Sequence, residues 1–226
     1  MYFRIMRAAK LFPVLVALAF WTPVAFLSVL LAHNAMLYFT HGGDYGLVIE
    51  KVVAKRDVLW HISLYVHLIT GTVCLLTPLF LFAKRFFRNG IGIHQYVGKL
   101  YVWITLIFVC PTGLYLALYA KGGLVTQVGF VVQDFLVGYY SYVGYRSIRQ
   151  RDKALHFENM IRSYAMVAVV LSFRLFHVIF FVLSVSYETN YAISQWLGIV
   201  FNLLFAEIVI LFIQSKQLKV KRYETA

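Results

Sequence analysis

Charge is scarce in this chain. Only 13% of its 226 residues are charged, and the nine acids are outnumbered by 21 lysines and arginines. A soluble domain of this length needs far more charge on its surface, so composition leaves a polytopic membrane protein as the class. Cysteine is nearly absent. Cys74 and Cys110 both fall inside apolar runs, one counting to the inner half of its span and the other to the outer half. That separation excludes a disulfide framework. The sequence also lacks an internal repeat, a Pro/Ser-rich linker and any stretch long enough for a soluble domain. No nucleophile accompanies its outer-half aspartate and interfacial histidines, so no hydrolase or transferase constellation is visible.

Apolar residues make up 62% of the chain, and the mean hydropathy is +0.76. A membrane-crossing helix needs about 20 predominantly apolar residues. Six segments qualify, at roughly 11–39, 57–83, 95–120, 123–147, 158–186 and 192–213. The first runs too long for a signal-peptide core and has no clear small-residue cleavage site, so it reads as a retained helix. The fold class expected is all-α integral membrane, one domain over residues 1–226. The Tyr and Phe content, 16 and 20 residues, suits aromatic belts at the headgroups.

A net charge of +12 can signal nucleic acid, but here the positives sit in short loops between apolar runs. Arg4, Arg7 and Lys10, then Lys84, Arg85 and Arg88, then Arg146, Arg149, Arg151 and Lys153, then Lys216, Lys219, Lys221 and Arg222 all fall on one side of a six-helix topology. The positive-inside rule makes both termini cytoplasmic. The partner implied is the lipid bilayer, with no nucleic acid.

Polar residues on the spans recur at helical spacing. Span 2 lines up Ser63, His67, Thr70, Gly71 and Cys74. Span 3 lines up His94, Gly98, Tyr101, Thr105 and Thr112. Span 4 lines up Gln127, Asp134, Gly138, Ser141 and Tyr145, and span 5 His156, Met160, Ser163, Arg174 and His177. Spans 1 and 6 are more evenly apolar, apart from His33, Asn34, Asn202 and Glu207. Polar stripes in lipid must face one another or a cavity. Helices 2 to 5 are therefore expected to form an inner four-helix bundle flanked by helices 1 and 6.

His94 and His156 count to cytoplasmic helix starts. His67 lies about ten residues, roughly 15 Å, below the outer end of span 2, and His177 lies near the outer end of span 5. These form an inner pair and an outer pair, with Gly71 and Gly98 leaving room for a flat ligand. The bland alternative for each is a hydrogen bond to water, lipid or a neighbouring helix. Asp134 and Arg174 both count to the outer half on core stripes, which predicts a buried charge pair: a structural salt bridge, or a proton or anion site near His67. Arg162, a turn and a half inside span 5, can snorkel or hold a propionate or phosphate near His156. His33, His41 and His61 read as interfacial.

The chain resembles a family of bacterial multi-pass membrane proteins known mainly as a domain of unknown function. The resemblance is carried by His67-x3-Gly71, by Arg88 with His94-x3-Gly98-Lys99-x-Tyr101, by Arg151-Asp152-x3-His156-x3-Met160-x-Arg162-Ser163-Tyr164, and by Arg174. It covers roughly residues 60–180 and implies a shared helical core and a shared site, and the location expected is a bacterial inner membrane. A looser resemblance is to the six-helix transmembrane cytochromes b, whose core helices 2 to 5 hold haem between histidines. That resemblance implies haem b, with His67, His94, His156 and His177 as ligands to iron. It also implies electron transfer as a membrane oxidoreductase or carrier, with a membrane or periplasmic redox partner. Span 4 has no histidine, so one haem, two or none remain open. Two other classes stand beside it. One is a non-redox transport or lipid- or small-molecule-binding protein built on His67, Asp134 and Arg174, with Pro78 and Pro111 kinking spans 2 and 3 to open its cavity. The other is an accessory subunit of a larger membrane complex.

Overall fold

The computed structural model describes residues 22, 25–30, 32–37, 39–40, 58–81 and 91–224. Arg4, Arg7, Lys10, His41, Lys84, Arg85 and Arg88 lie outside the described residues. Every regular element among those described is helical: α1 (Val58–Leu81), α2 (Ile91–Ile104), a π-helical segment (Thr105–Val109), α3 (Cys110–Ala117), α4 (Gly123–Arg149), α5 (Lys153–Val167), α6 (Val169–Val182) and α7 (Tyr187–Glu224). A shorter apolar helix, Ala25–Leu37, precedes them. Four stretches are long and apolar enough to cross a membrane: Val58–Thr77, Gly92–Ala117, Lys153–Val182 and Tyr187–Ser215. With 27 residues, α4 has the length to cross. It lacks the apolarity, because Gln127, Gln133, Asp134 and its terminal Arg146 and Arg149 dilute the run.

Two spans depart from a continuous α-helix. In α2–α3 the ladder widens to π geometry, and the Cys110 N–H reaches back five residues to the Thr105 carbonyl. The cause is local: Pro111 has no N–H to return to the Ile107 carbonyl, and its ring crowds the preceding turn. In the fifth expected span, α5 stops and α6 begins at Ala168. There Leu171 bonds the Ala168 carbonyl three residues back, at 3.0 Å. The expected single helix over 158–186 is thus two segments, and it starts earlier, at Lys153.

Helix α4 is seated between two sets of neighbours. One face, with Asp134 and Gly138, meets Gly113 and Cys110 of α3. The adjacent face carries Gly129, Val137, Ser141 and Gly144, all buried, against α5 and α7. A methyl group at Gly144 would meet Met160 Sδ at 2.8 Å, so the absent side chain is what lets α5 approach. Ser141 and Tyr101 both hydrogen-bond Ser163 Oγ, at 2.7 and 2.8 Å, joining α4 and α2 to α5 through buried hydroxyls. Around Tyr101 pack Cys74, Val102 and Val109.

The last helix is not an evenly apolar flank. Asn190, Ser194, Gly198, Asn202, Ala206 and Ile210 recur every four residues and are all buried, facing α4, α5 and α6. The inner group therefore includes α7, where the sequence reading expects helices 2 to 5 alone. Cys74 and Cys110 are both free, the first bonded to Thr105 Oγ1 at 3.4 Å and the second to the Asp134 carbonyl at 3.6 Å.

The α4–α5 connection accounts for the Arg151-Asp152 dipeptide. Asp152 N–H bonds the Ser147 carbonyl and Arg151 N–H the Ile148 carbonyl, the paired bonds of a Schellman motif, with Arg151 left-handed at φ 67°. Asp152 then caps α5, its Oδ1 accepting from Leu155 N–H at 2.9 Å. Ser184 repeats the motif after α6 at φ 58°. Removing the cap and relieving the turn should move stability in opposite directions. Asp152→Ala is expected to lose about 1 kcal/mol, and Arg151→Gly to gain a similar ~1 kcal/mol by releasing the left-handed strain. Reversible unfolding in mixed micelles reads both, and equal signs for the two variants would contradict the assignment.

Candidate functional site

A cavity of about 180 Å³ opens where the interrupted helices meet α1 and α4. Its wall takes Leu64, His67, Gly71 and Leu75 from α1 and Val109 from the end of the π segment. Gln133, Asp134 and Val137 come from α4, and Val167, Val170 and Arg174 come from both sides of the Ala168 break. Asn34 and Ala35 of the short N-terminal helix complete it. His67, Asp134, Arg174 and Gly71, read from the sequence as separate stripes, share this one space.

His67 is fixed by the π segment. Its Nδ1 lies 3.2 Å from the Val109 carbonyl and 3.1 Å from Thr112 Oγ1. The Thr112 hydroxyl donates to the Phe108 carbonyl at 2.5 Å. A carbonyl can only accept, so the bond to Val109 assigns a proton to Nδ1, and in the neutral ring Nε2 is then the acceptor. Among the described residues, and apart from the helix's own backbone, a methyl added at Gly71 would meet His67 Cδ2, at 4.0 Å.

Asp134 sits near the middle of α4, and its carboxylate rests against Gly113. A methyl group there would overlap all three atoms of the carboxyl group. Among the described residues no side chain or backbone donor hydrogen-bonds this carboxylate, and no cation pairs with it. Arg174, on α6, is exposed. It lies on the same cavity wall but makes no ion pair with Asp134, whereas the sequence reading expects the two as a buried pair. The geometric reason is that α6 presents Arg174 outward, while Asp134 is turned into the groove of α3.

Gln133 and Gln195 stand on no stripe read from the sequence, and Asn202 is there only an exception on an apolar span. Gln133 Nε2 donates to the Met166 carbonyl at 3.0 Å, and Asn202 Nδ2 donates to the Ala165 carbonyl at 2.8 Å. Both acceptors lie just before the Ala168 interruption. Gln195 Nε2 in turn donates to Gln133 Oε1 at 2.7 Å, and Ser172 Oγ to Asn202 Oδ1 at 2.6 Å. The signal was present as amides spaced along α7, with one amide beside Asp134.

The remaining candidates lie elsewhere. His177 stacks on Phe173 with a 2° interplanar angle and bonds Asn190 Oδ1 at 2.9 Å. Its contacts are on α6 and α7, and nothing joins it to His67. His156 Nδ1 donates to the Gly144 carbonyl at 2.8 Å. His94 is exposed, near enough to His156 for their charges to interact, and Gly98 has nothing within 4 Å of an added methyl. Arg162 holds Glu207 in a two-pronged bond, Nε to Oε1 at 2.6 Å and Nη2 to Oε2 at 2.9 Å, with Glu158 at 3.5 Å. Two carboxylates already surround the guanidinium that the sequence offers to a propionate or phosphate. His61 meets Trp60 edge-on, and His33 is exposed.

A b-type haem between His67 and His177 does not fit these residues. The two face different neighbours, and 180 Å³ beside His67 falls below the roughly 300–1,000 Å³ of cofactor-sized sites. Among the described residues no three histidine, cysteine or carboxylate side chains converge on a metal-ion position.

Fold and cavity together define a helical integral membrane protein with ionisable groups held among its crossings. Residues 64–210 match the family described as "Predicted membrane protein (DUF2306)", and the chain belongs to that family. No curated protein and no solved structure matches it.

The Gln133 bridge makes a stability test of the break. Gln133→Leu strands the Met166 carbonyl and the Gln195 amide in a site away from water, an expected loss of about 1–3 kcal/mol. Unfolding in mixed micelles measures it, and a neutral result would show that neither bond supports the interruption.

Proposed function

We propose that the protein is a non-redox membrane protein that binds a small polar solute in this cavity and carries it, with a proton, across the bilayer. The observation that carries the reading is the convergence of His67, Asp134 and Arg174 on one space between membrane helices. An ionised side chain at mid-membrane costs at least ~2.5–3.5 kcal/mol, so two such groups with no partner among the described residues point to a ligand or a proton as the missing partner. The helix interruptions at the same place support it. Discontinuous helices line the binding sites of many transporters, because irregular backbone is tolerated in a membrane only where neighbours or a cavity receive its polar groups.

In this reading the chain crosses six times, the first apolar run and α4 adding two crossings to the four long apolar helices. α1 to α6 form the inner group, supplemented by α7, in a bacterial inner membrane. The distribution of lysine and arginine supports a cytoplasmic position for both termini. The cavity then lies in the outer half, and Asp134 takes and releases the proton while neutral His67 offers Nε2 as an acceptor.

Proteoliposomes loaded with a pH-sensitive dye test this. An inward gradient of mixed small carboxylates and amino acids should acidify the lumen faster than in empty vesicles, and Asp134→Asn should slow the response about tenfold, or ~1.4 kcal/mol. Wild-type protein no faster than empty vesicles for every solute would end the transport reading.

A second reading has one specific observation in its favour. His156 is oriented through Nδ1 by a backbone carbonyl, the arrangement that steers a ligating imidazole, and His94 lies near it beside open Gly98. A single haem b held there by His94 and His156 would supply one-electron chemistry when bound. Protein purified from haem-replete cells should then give a dithionite-reduced b-type band that His156→Ala removes. A colourless preparation would exclude it.

A further inference from the structure

We propose that the cavity's ligand is a small zwitterion, held with its cationic end at Asp134 and its anionic end at Arg174. The inference rests on the cavity being a binding site and adds the chemical class of what it binds. Of the polar groups on the wall, Gln133 is engaged at both ends of its amide, and His67 is engaged through Nδ1. Asn34 and Thr72 add an uncharged amide and hydroxyl, and the remaining ionisable groups on the wall are one acid and one base. Both line the same 180 Å³ space, yet they do not pair with each other, and neither pairs with any other described residue.

Elsewhere in the fold, between α5 and α7, the protein does pair such groups: Arg162 and Glu207 meet at 2.6 and 2.9 Å. Leaving Asp134 and Arg174 apart is therefore a choice of geometry, not an absence of partners of the right sign. A simple anion would satisfy Arg174 and be repelled by Asp134. A simple cation would do the reverse. A molecule with both charges answers both, and the charge-assisted hydrogen bonds it makes are the strong ones. Between the two ends the wall is aliphatic, from Leu64, Leu68, Val137, Val167 and Val170, which suits a short methylene chain. The volume admits a few carbons and not a drug-sized ligand. Such chemistry has two sources: a free amino acid, or the aminoalkyl phosphate headgroup of a lipid entering from the bilayer.

Thermal unfolding of the purified full-length protein in detergent, followed by tryptophan fluorescence, tests this without any variant. The probes are glycine, β-alanine, γ-aminobutyrate and ε-aminocaproate, against acetate and methylammonium at matched ionic strength. At least one amino acid should raise Tm at concentrations about tenfold below those of either singly charged probe, a difference of ~1.4 kcal/mol. The best chain length then reports the spacing of the two charges. Asp134→Asn and Arg174→Gln should each weaken that probe by about tenfold or more. In nanodiscs, stabilisation by phosphatidylethanolamine over phosphatidylglycerol that Asp134→Asn abolishes would assign the zwitterion to a lipid headgroup; response to soluble amino acids alone would assign it to a free solute. Acetate or methylammonium acting as strongly as the best amino acid overturns the zwitterion and leaves a singly charged site. A Tm indifferent to every probe and lipid, with vesicle acidification intact, overturns the zwitterion alone; loss of both overturns the cavity as a site.

Discussion

Inside a bilayer there is no water to receive a backbone N–H or C=O, so every departure from the α-helical ladder has to be satisfied by the protein itself. This chain departs twice among the described residues, at Thr105–Val109 and at Ala168. Each departure recruits side chains from other helices. The π segment presents the Val109 carbonyl to His67 of α1, and the carbonyls before Ala168 accept from Gln133 of α4 and Asn202 of α7. The bonds that tolerate the irregularity also tie α1 to the π segment, and α4 and α7 to α5. The cavity lies among them, since Val109, Gln133, Val167 and Val170 are all on its wall. Irregular backbone and polar wall are two aspects of one constraint.

The same constraint explains the character of α4. A helix with Gln127, Gln133, Asp134 and a row of glycines would be a poor crossing by apolarity alone. Here nearly every polar group has a place: Gln127 on the Leu118 and Ala120 carbonyls that end α3, Gln133 on Met166, and Ser141 on Ser163. The small residues bring the neighbouring backbones close enough for these bonds. Packing at Gly113, Gly129 and Gly144 and hydrogen bonding at Gln133 and Ser141 are thus not independent contributions. Close approach is the condition for the bonds, as expected where helix association in lipid relies on packing and polar contacts instead of the hydrophobic effect.

Much of this was legible in the sequence, and the limits have physical causes. Four of the six expected spans follow from apolar runs, and the meeting of His67, Gly71 and Asp134 at one cavity follows from helical spacing, because a polar residue in lipid has to turn inward; Arg174 reaches the same wall while staying exposed. The π segment is foreshadowed by Pro111. The Ala168 interruption is not, because alanine is the best helix former and nothing local marks the break; it depends on amides arriving from two other helices. The α7 stripe was written at four-residue spacing, Asn190, Ser194, Gly198 and Asn202, but small and amide residues weigh little in an apolarity count. His177 and Arg162 show the remaining limit. Their depth was readable, while their partners, Asn190 and Glu207, lie on a helix whose facing is decided only by packing.

Arg162 and Asp134 can be compared directly. Both are ionisable groups on membrane helices, and the cost of holding such a charge falls when an opposite charge and well-formed hydrogen bonds surround it. Arg162 has this from Glu207 and Glu158, and the three sit between α5 and α7, where they fix two long helices in register. Asp134 has a glycine instead. Gly113 gives its carboxylate room and no partner, and any larger residue there would drive it from its place. A structural charge is expected to look like Arg162. A charge on one cavity wall with an exposed guanidinium and an imidazole, yet joined to neither, is what the proposed ligand would stabilise, and that distinguishes a proposed binding site from a brace.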